Sequence, residues 1–242
     1  MMIRGIGLHS GEIGTVRFHA AEGPVRFWMG GLELRPLASR VVDTTRCTVL
    51  GQQGLRLMTV EHLLAALFIR GIWEGLLIEV TGPEIPILDG SAQEWLAALE
   101  GVPPLGPLAV PVDGAIRVEE GRSSVLARPA EQFTLTATIL FPHPKIGYQQ
   151  VESPPTPLEA LAPARTFGFL HEVEEMRARG LIQGASLENA LVFGEHGWVN
   201  TPRMLREPVY HKALDFLGDL YLVGRPYQGQ FIAHRASHRL HV

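Results

Sequence analysis

Hydrophobic and polar positions along this chain follow two periods, and strand-like runs open each half before helical ones. In the first half, helical spacing of apolar residues covers residues 59–70 and 91–99, and the β-type runs are VRFHA, VRFWM, CTVL and LLIEV. In the second half, the helical runs are FLHEVEEMRARG and HKALDFLGDLYLVG, and the strand-like runs are AIRVEE, SSVLARP, FTLTATILF and GQFIAHR. This order favours an α+β architecture over a doubly wound parallel sheet.

Proline and glycine are concentrated in GVPPLGPLAVPVDG, residues 101–114. These residues resist helix formation and interrupt strand pairing, which is typical of a linker. We therefore predict two domains, residues 1–104 and residues 105–242.

Composition narrows the classes of function. A formal net charge of -4 supplies no broad basic surface, so we exclude nucleic acid as a partner. The single cysteine, Cys47, rules out an internal disulfide and a thiolate-rich zinc site, so any metal must be held by histidines and carboxylates. We expect no signal peptide or transmembrane segment, and a cytoplasmic location, because no apolar run is long enough.

The segment TVEHLLAAL predicts a helix that Thr59 caps, with Glu61 and His62 in its exposed first turn. The core-facing stripe consists of Val60, Leu63, Leu64 and Leu67. A lone histidine in this position is more often structural than functional.

In HKALDFLGDL, residues His211, Asp215 and Asp219 recur every four positions and so share one side of a helix. Two interpretations remain open for this polar stripe. It faces a cleft, or it solvates the outer face of an amphipathic helix together with Lys212.

An imidazole and a carboxylate one helical turn apart can bind the same ion, and His62 is the leading candidate for a third ligand. Such a set leaves a coordination position open for water, as catalytic zinc sites do, and Glu61 could act as the base. HExxH, P-loop and GxSxG patterns are absent, and HEVEE lacks a second histidine one turn on.

Seven segments in the same order resemble the zinc-dependent UDP-3-O-acyl-N-acetylglucosamine deacetylases of lipid A biosynthesis. These segments are GIGLHSGE, VVDTTRCTVLG, TVEHLLAAL, GPEIPILDGSA, FPHPKIGYQ, ARTFGFLHEVEEMRARGLIQGASLENALVF and HKALDFLGDL. The resemblance implies two similar α+β domains, each a small sheet with two helices, and the helices lie between the two sheets. It also implies release of acetate from an acylated UDP-amino-sugar.

The resemblance further implies a zinc ion held by His62, His211 and Asp215, with Glu61 as general base. Thr166 corresponds to the family's oxyanion-contacting threonine and Lys212 to its neighbouring cation.

His238 in ASHRL stands where the family has a catalytic histidine, and Asp219 would be its partner. A mobile histidine near the chain end is the alternative, since His234 and His241 are close by without a role. Arg235 stands near the family's diphosphate-binding position, although a plain surface arginine is equally compatible.

Residues 164–193 are expected to form an insert that receives a fatty acyl chain, with Phe167 contacting the substrate. Its apolar lining is expected to include Phe169, Leu170 and Leu181. We expect a monomer.

The sequence departs from the family pattern at four positions that we expect to bear on the substrate, namely Trp73, Glu74, Tyr210 and Ser237. Two alternatives therefore remain: a zinc amidase acting on another N-acetylated sugar, and a catalytically silent protein that binds acyl chains or nucleotide sugars.

Overall fold

The computed structural model describes residues 2–242, which form an α+β fold, as the hydrophobic pattern predicted. In the first half the elements are β1 (Met2–Ile6), β2 (Ile13–Pro24), β3 (Arg26–Met29), β4 (Leu32–Leu34), β5 (Val41–Asp43), β6 (Val49–Gln52), β7 (Leu55–Leu57), α1 (Glu61–Arg70), β8 (Glu74–Thr81) and α2 (Gln93–Ala98). In the second half they are β9 (Val110–Pro111), β10 (Ile116–Glu120), β11 (Ser123–Arg128), β12 (Thr134–Phe141), β13 (Gly147–Ser153), β14 (Phe167–Phe169), α3 (Val173–Ala178), β15 (Leu191–Phe193), α4 (Glu207–Tyr221), β16 (Tyr227–Gln228), β17 (Gln230–His234) and α5 (His238–His241).

Two five-stranded sheets share one topology. Their strand orders are β1-β2-β8-β3-β4 and β10-β11-β17-β12-β13. In the first sheet, β8 runs antiparallel to β2 and parallel to β3. In the second, β17 runs antiparallel to β11 and parallel to β12. The two halves are therefore similar in architecture, and the boundary between residues 104 and 105 stays a prediction.

Helices α1 and α4 pack against each other between the two sheets, and α4 also packs against β12 and β13. At their crossing, a Cβ atom on Gly218 would overlap the backbone of Glu61. Glycine lets the two helix backbones approach this closely, because it has no side chain to fit between them. The crossing brings the start of α1 beside the middle of α4.

The start of α1 differs from the sequence prediction. Val60 is the N-cap residue, and among residues 2–242 no side chain caps the helix. Thr59 has φ 57°, and its hydroxyl donates to Glu84 Oε1 at 2.6 Å instead. Glu61 and His62 are buried at 3% exposure, not exposed, because α4 covers this end of α1.

The segment FLHEVEEMRARG is less regular than predicted. A 3-10 turn at Leu170–Glu172 precedes α3, which is only six residues long. Among the described residues, every helix is too short or too polar to cross a membrane.

Candidate metal centre and active site

A cluster of potential metal ligands lies where the start of α1 meets α4. One ring nitrogen from each of His62 and His211 and a carboxylate oxygen of Asp215 all lie within 4.8 Å of one another. Asp215 Oδ1 is 3.6 Å from His62 Nε2 and 3.3 Å from His211 Nε2. All three side chains are buried, so the polar stripe of α4 faces a cleft and not bulk solvent.

Within this cluster, two hydrogen-bond acceptor atoms face each other without a donor between them. His211 Nδ1 lies 3.2 Å from the carbonyl oxygen of Ala164 and donates to it, so the Nε2 lone pair faces Asp215. Asp215 Oδ1 has no hydrogen-bond partner among the described residues, although it is buried. Two acceptors facing each other in a buried site need a positive charge between them, and a metal ion fits this requirement.

The protonation states also suit metal binding. Burial lowers the pKa of His211 to about 3, so its imidazole is neutral. Burial favours the protonated form of Asp215, but the Lys212 ammonium beside it helps to hold its pKa well below the usual range. Lys212 Nζ donates to Asp215 Oδ2 at 2.8 Å. A neutral imidazole and an ionised carboxylate are the forms that bind a metal.

Glu61 lies beside the metal cluster at the first position of α1. Its Oε2 atom accepts a hydrogen bond from the Thr48 amide at 3.1 Å, and its Oε1 atom is 3.9 Å from His238 Nε2. Burial raises the pKa of Glu61. A carboxylate with a raised pKa can accept and release a proton near neutral pH.

His238 and Asp219 form a buried pair next to Glu61 and the metal cluster. Nδ1 of His238 donates to Asp219 Oδ2 at 2.7 Å, and Nε2 lies 3.8 Å from Asp215 Oδ2. Burial opposes protonation of His238, but the Asp219 carboxylate outweighs it and raises the pKa to about 9. Burial likewise opposes ionisation of Asp219, but His238 lowers its pKa to about 2. His238 is therefore buried and hydrogen-bonded, which does not fit the alternative of a mobile histidine near the chain end.

His241 and His234, which had no predicted role, each have a hydrogen-bond partner. His241 Nδ1 donates to Asp219 Oδ2 at 2.8 Å, so it joins the buried pair. His234 Nδ1 lies 2.7 Å from Thr138 Oγ1 in the second sheet. Thr48, which contacts both Glu61 and Asp219, was missed, because nothing in its local pattern separates it from other threonines.

A cavity of about 320 Å³ opens over these side chains. The remaining candidate residues from the sequence, Thr166, Phe167, Lys212 and Arg235, all line it. The Lys212 ammonium lies 5.8 Å from the centre of the Phe167 ring. With the exception of Asp219, the candidate residues from both halves of the chain thus line one cavity.

An apolar pocket of about 110 Å³ adjoins this cavity and shares Phe167 and Phe169 with it. Its other apolar lining residues are Leu8, Val173, Met176, Ile182, Ala185, Ala190 and Val192. Leu170 and Leu181 are not part of this lining, and Leu170 is exposed, so their predicted contact with an acyl chain is not supported by this pocket.

The departures from the family pattern lie mostly away from the cavity. Trp73 stacks on Tyr221 with ring centres 4.3 Å apart, and the Glu74 amide donates to the Leu105 carbonyl. Neither Trp73 nor Glu74 lines the cavity, and Tyr210 does not either. Ser237 alone of the four departures lines the cavity, and the expectation that the four bear on the substrate stays a prediction.

Comparison with known proteins agrees with this geometry. The family model described as LpxC, UDP-3-O-acyl N-acetylglycosamine deacetylase, matches residues 1–242. The UDP-3-O-acyl-N-acetylglucosamine deacetylase of Thermosynechococcus vestitus is 45% identical to the chain, covering 98% of it and 87% of the relative. The enzyme of that name from Nostoc sp. PCC 7120 is 40% identical, and the match covers 98% of this chain and 91% of the relative. The enzyme of that name from Leptospira biflexa is 36% identical, and the match covers 99% of this chain and 84% of the relative.

Proposed function

Because the chain belongs to the family of UDP-3-O-acyl N-acetylglycosamine deacetylases, we propose that it hydrolyses the N-acetyl group of a UDP-3-O-acyl-N-acetylglucosamine and releases acetate. In this proposal the reaction serves lipid A biosynthesis. The observation that carries it is the unpaired, buried Oδ1 of Asp215, which faces the imidazoles of His62 and His211 beside the Glu61 carboxylate.

We propose that His62, His211 and Asp215 hold a zinc ion. Two imidazole nitrogens and one carboxylate oxygen are a donor set that zinc accepts, with a position left for water or substrate. Bound zinc would supply Lewis acidity for the acetamide carbonyl and for the attacking water.

Proton transfers are assigned to the two groups that flank this cluster. Glu61, whose pKa burial raises, takes a proton from the water as its oxygen attacks the acetamide carbon. His238, which Asp219 holds in its charged form, gives a proton to the departing amine nitrogen as the carbon–nitrogen bond breaks. The products are acetate and the free amine.

Thr166 and Lys212 would stabilise the negative charge that develops on the carbonyl oxygen, because both line the cavity beside the metal cluster. Loss of one such donor typically lowers the rate about 100-fold to 1000-fold.

Substrate binding divides between the polar cavity and the apolar pocket. Phe167 borders both and would contact the sugar and the start of the acyl chain, which would then enter the pocket lined by Met176 and Val192. Arg235 would bind the diphosphate, since its planar donor fork suits phosphate oxygens. The cytoplasmic location and the monomeric state stay predictions from the sequence.

Metal content and acetate release test this proposal together. The purified protein should contain about one zinc ion per chain and release acetate from the acylated nucleotide sugar. His211→Ala should lose the metal and the activity, whereas Glu61→Gln should keep the metal and lose about 100-fold to 10000-fold in kcat. His19→Ala is a matched control, since His19 is half-exposed on β2 in the first sheet, where it pairs with Glu79. A wild-type protein with zinc but no acetate release refutes the proposal.

Neither alternative gains support from the structure. Another N-acetylated substrate was suggested by Trp73 and Glu74, which lie outside the cavity. A silent binding protein was suggested by the altered terminal segment, yet His238 in that segment is buried and paired with Asp219.

A further inference from the structure

Thr48 makes three hydrogen bonds at the active site, although it is neither a metal ligand nor part of the cavity lining. Its hydroxyl donates to Asp219 Oδ1 at 2.6 Å, and its amide donates to Glu61 Oε2 at 3.1 Å. Its carbonyl accepts from the amide of Val60, the N-cap residue of α1, at 3.4 Å. Thr48 is fully buried, so water does not compete for these groups.

The direction of the hydroxyl bond follows from the neighbouring histidine. Thr48 Oγ1 is also 3.2 Å from His238 Nδ1, but that nitrogen already donates its hydrogen to Asp219 Oδ2. A nitrogen that carries a hydrogen has no lone pair to accept another. The hydroxyl hydrogen therefore points to Asp219 Oδ1, and both Asp219 oxygens are held by donors.

These bonds connect the two proton-transferring groups across the two halves of the chain. Glu61 belongs to α1 in the first half, and Asp219 belongs to α4 in the second. His238 follows the orientation of Asp219, because its Nδ1–H bond to the carboxylate directs Nε2 toward Glu61 Oε1, 3.9 Å away. A rotation of the Asp219 carboxylate would turn the imidazole and change this separation.

We propose that Thr48 is a positioning residue for the deacetylation, which keeps Glu61 and the Asp219–His238 pair in fixed relative positions. This inference rests on the proposed function. Without the hydroxyl, Asp219 Oδ1 is a buried acceptor without a donor, and the carboxylate is free to rotate. His241 does not substitute for it, because its Nδ1 donates to the other oxygen, Oδ2.

The test compares Thr48→Val, which removes the hydroxyl and keeps the shape, with Thr48→Ser, which keeps the hydroxyl. We expect Thr48→Val to lower kcat about 10-fold to 100-fold with KM and zinc content unchanged, because losing a hydrogen bond to a charged group weakens the arrangement used in the transition state. Thr48→Ser should stay within about threefold of wild type.

The matched control is Tyr221→Phe, which also removes one buried hydroxyl bond, from Tyr221 to the carbonyl of Ile72, on the same helix as Asp219. It should lose some thermal stability and keep its kcat. If the valine variant loses kcat only in proportion to a stability loss that the phenylalanine variant shares, Thr48 is merely structural and the inference fails.

A double-mutant cycle with Asp219→Ala separates positioning from general destabilisation. If Thr48 acts through Asp219, Thr48→Val should cost little further in kcat once Asp219 is removed, whereas independent roles give additive losses and overturn the inference. Thr48→Ala is measured in the same cycle, so the outcome does not depend on the valine variant folding. Wild-type acetate release in the same series shows whether the proposed function itself holds.

Discussion

Replacing Gly218 by alanine probes the helix crossing on which the whole site depends. A Cβ atom at this position would lie 2.8 Å from the carbonyl carbon and 2.9 Å from the Cα of Glu61, and would overlap the carbonyl oxygen. All three are backbone atoms, so no side chain can rotate away. Because ordinary carbon contacts lie at about 3.5 Å or more, α1 must move away from α4 by roughly 1 Å.

The expected cost combines two opposing effects. Alanine is about 1 kcal/mol better than glycine inside a helix, while overpacking of this kind costs about 1–3 kcal/mol and occasionally more. With backbone as the obstacle, we expect a net loss of about 2 kcal/mol in the free energy of unfolding. For a chain of this size that lowers Tm by about 4–8 °C. A shift of about 1 Å in Glu61 and His62 should also lower kcat about 100-fold.

Thermal unfolding, zinc content and acetate release measure these effects on one preparation. Gly114→Ala is the matched control, because nothing lies within 4 Å of a Cβ added there. If Gly218→Ala unfolds within about 1 °C of the wild type and keeps its activity, α1 and α4 do not cross at this point and the argument for the site fails.

Three further outcomes follow from the contacts. Asp219→Asn should move the basic limb of the pH profile of kcat/KM to lower pH. Asp219 raises the pKa of His238 to about 9, and His238 must be protonated to donate its proton to the leaving amine. A basic limb that stays at the same pH contradicts this. Val192→Trp should raise KM for long-chain substrates more than for short-chain ones in acetate-release assays, since Val192 lines the apolar pocket; equal effects would place the chain elsewhere. Glu207→Gln should lower the free energy of urea unfolding by about 3–5 kcal/mol, because Arg165 then keeps a buried charge without its partner; a loss below about 1 kcal/mol would count against this.

Local sequence patterns predicted much of the secondary structure. Alternating residues in FTLTATILF correspond to β12, and the helical spacing from residue 211 onward corresponds to most of α4. Periodicity succeeds here because the direction of a side chain depends on the dihedral angles of its own segment. It failed at FLHEVEEMRARG, where a 3-10 turn precedes a helix of only six residues.

The side chains of α4 show what a sequence pattern can and cannot predict. The spacing of His211, Asp215 and Asp219 predicted that they share one side of the helix, but left open whether that side is exposed. Helix α1, packed against them, made the side a buried cleft, and it placed His62 Nε2 3.6 Å from Asp215 Oδ1. The family resemblance named this partner, whereas the residues alone made it only the leading candidate.

The sequence by itself determined most of the elements and the periodic placement of chemical groups within each of them, since both follow from the local backbone. Only the tertiary structure decided which groups face each other. Thr48 and Asp219 are 171 residues apart, and their hydrogen bond depends on the close packing of α1 against α4 at Gly218. No local pattern contains such a contact, because its geometry depends on the packing of the entire core.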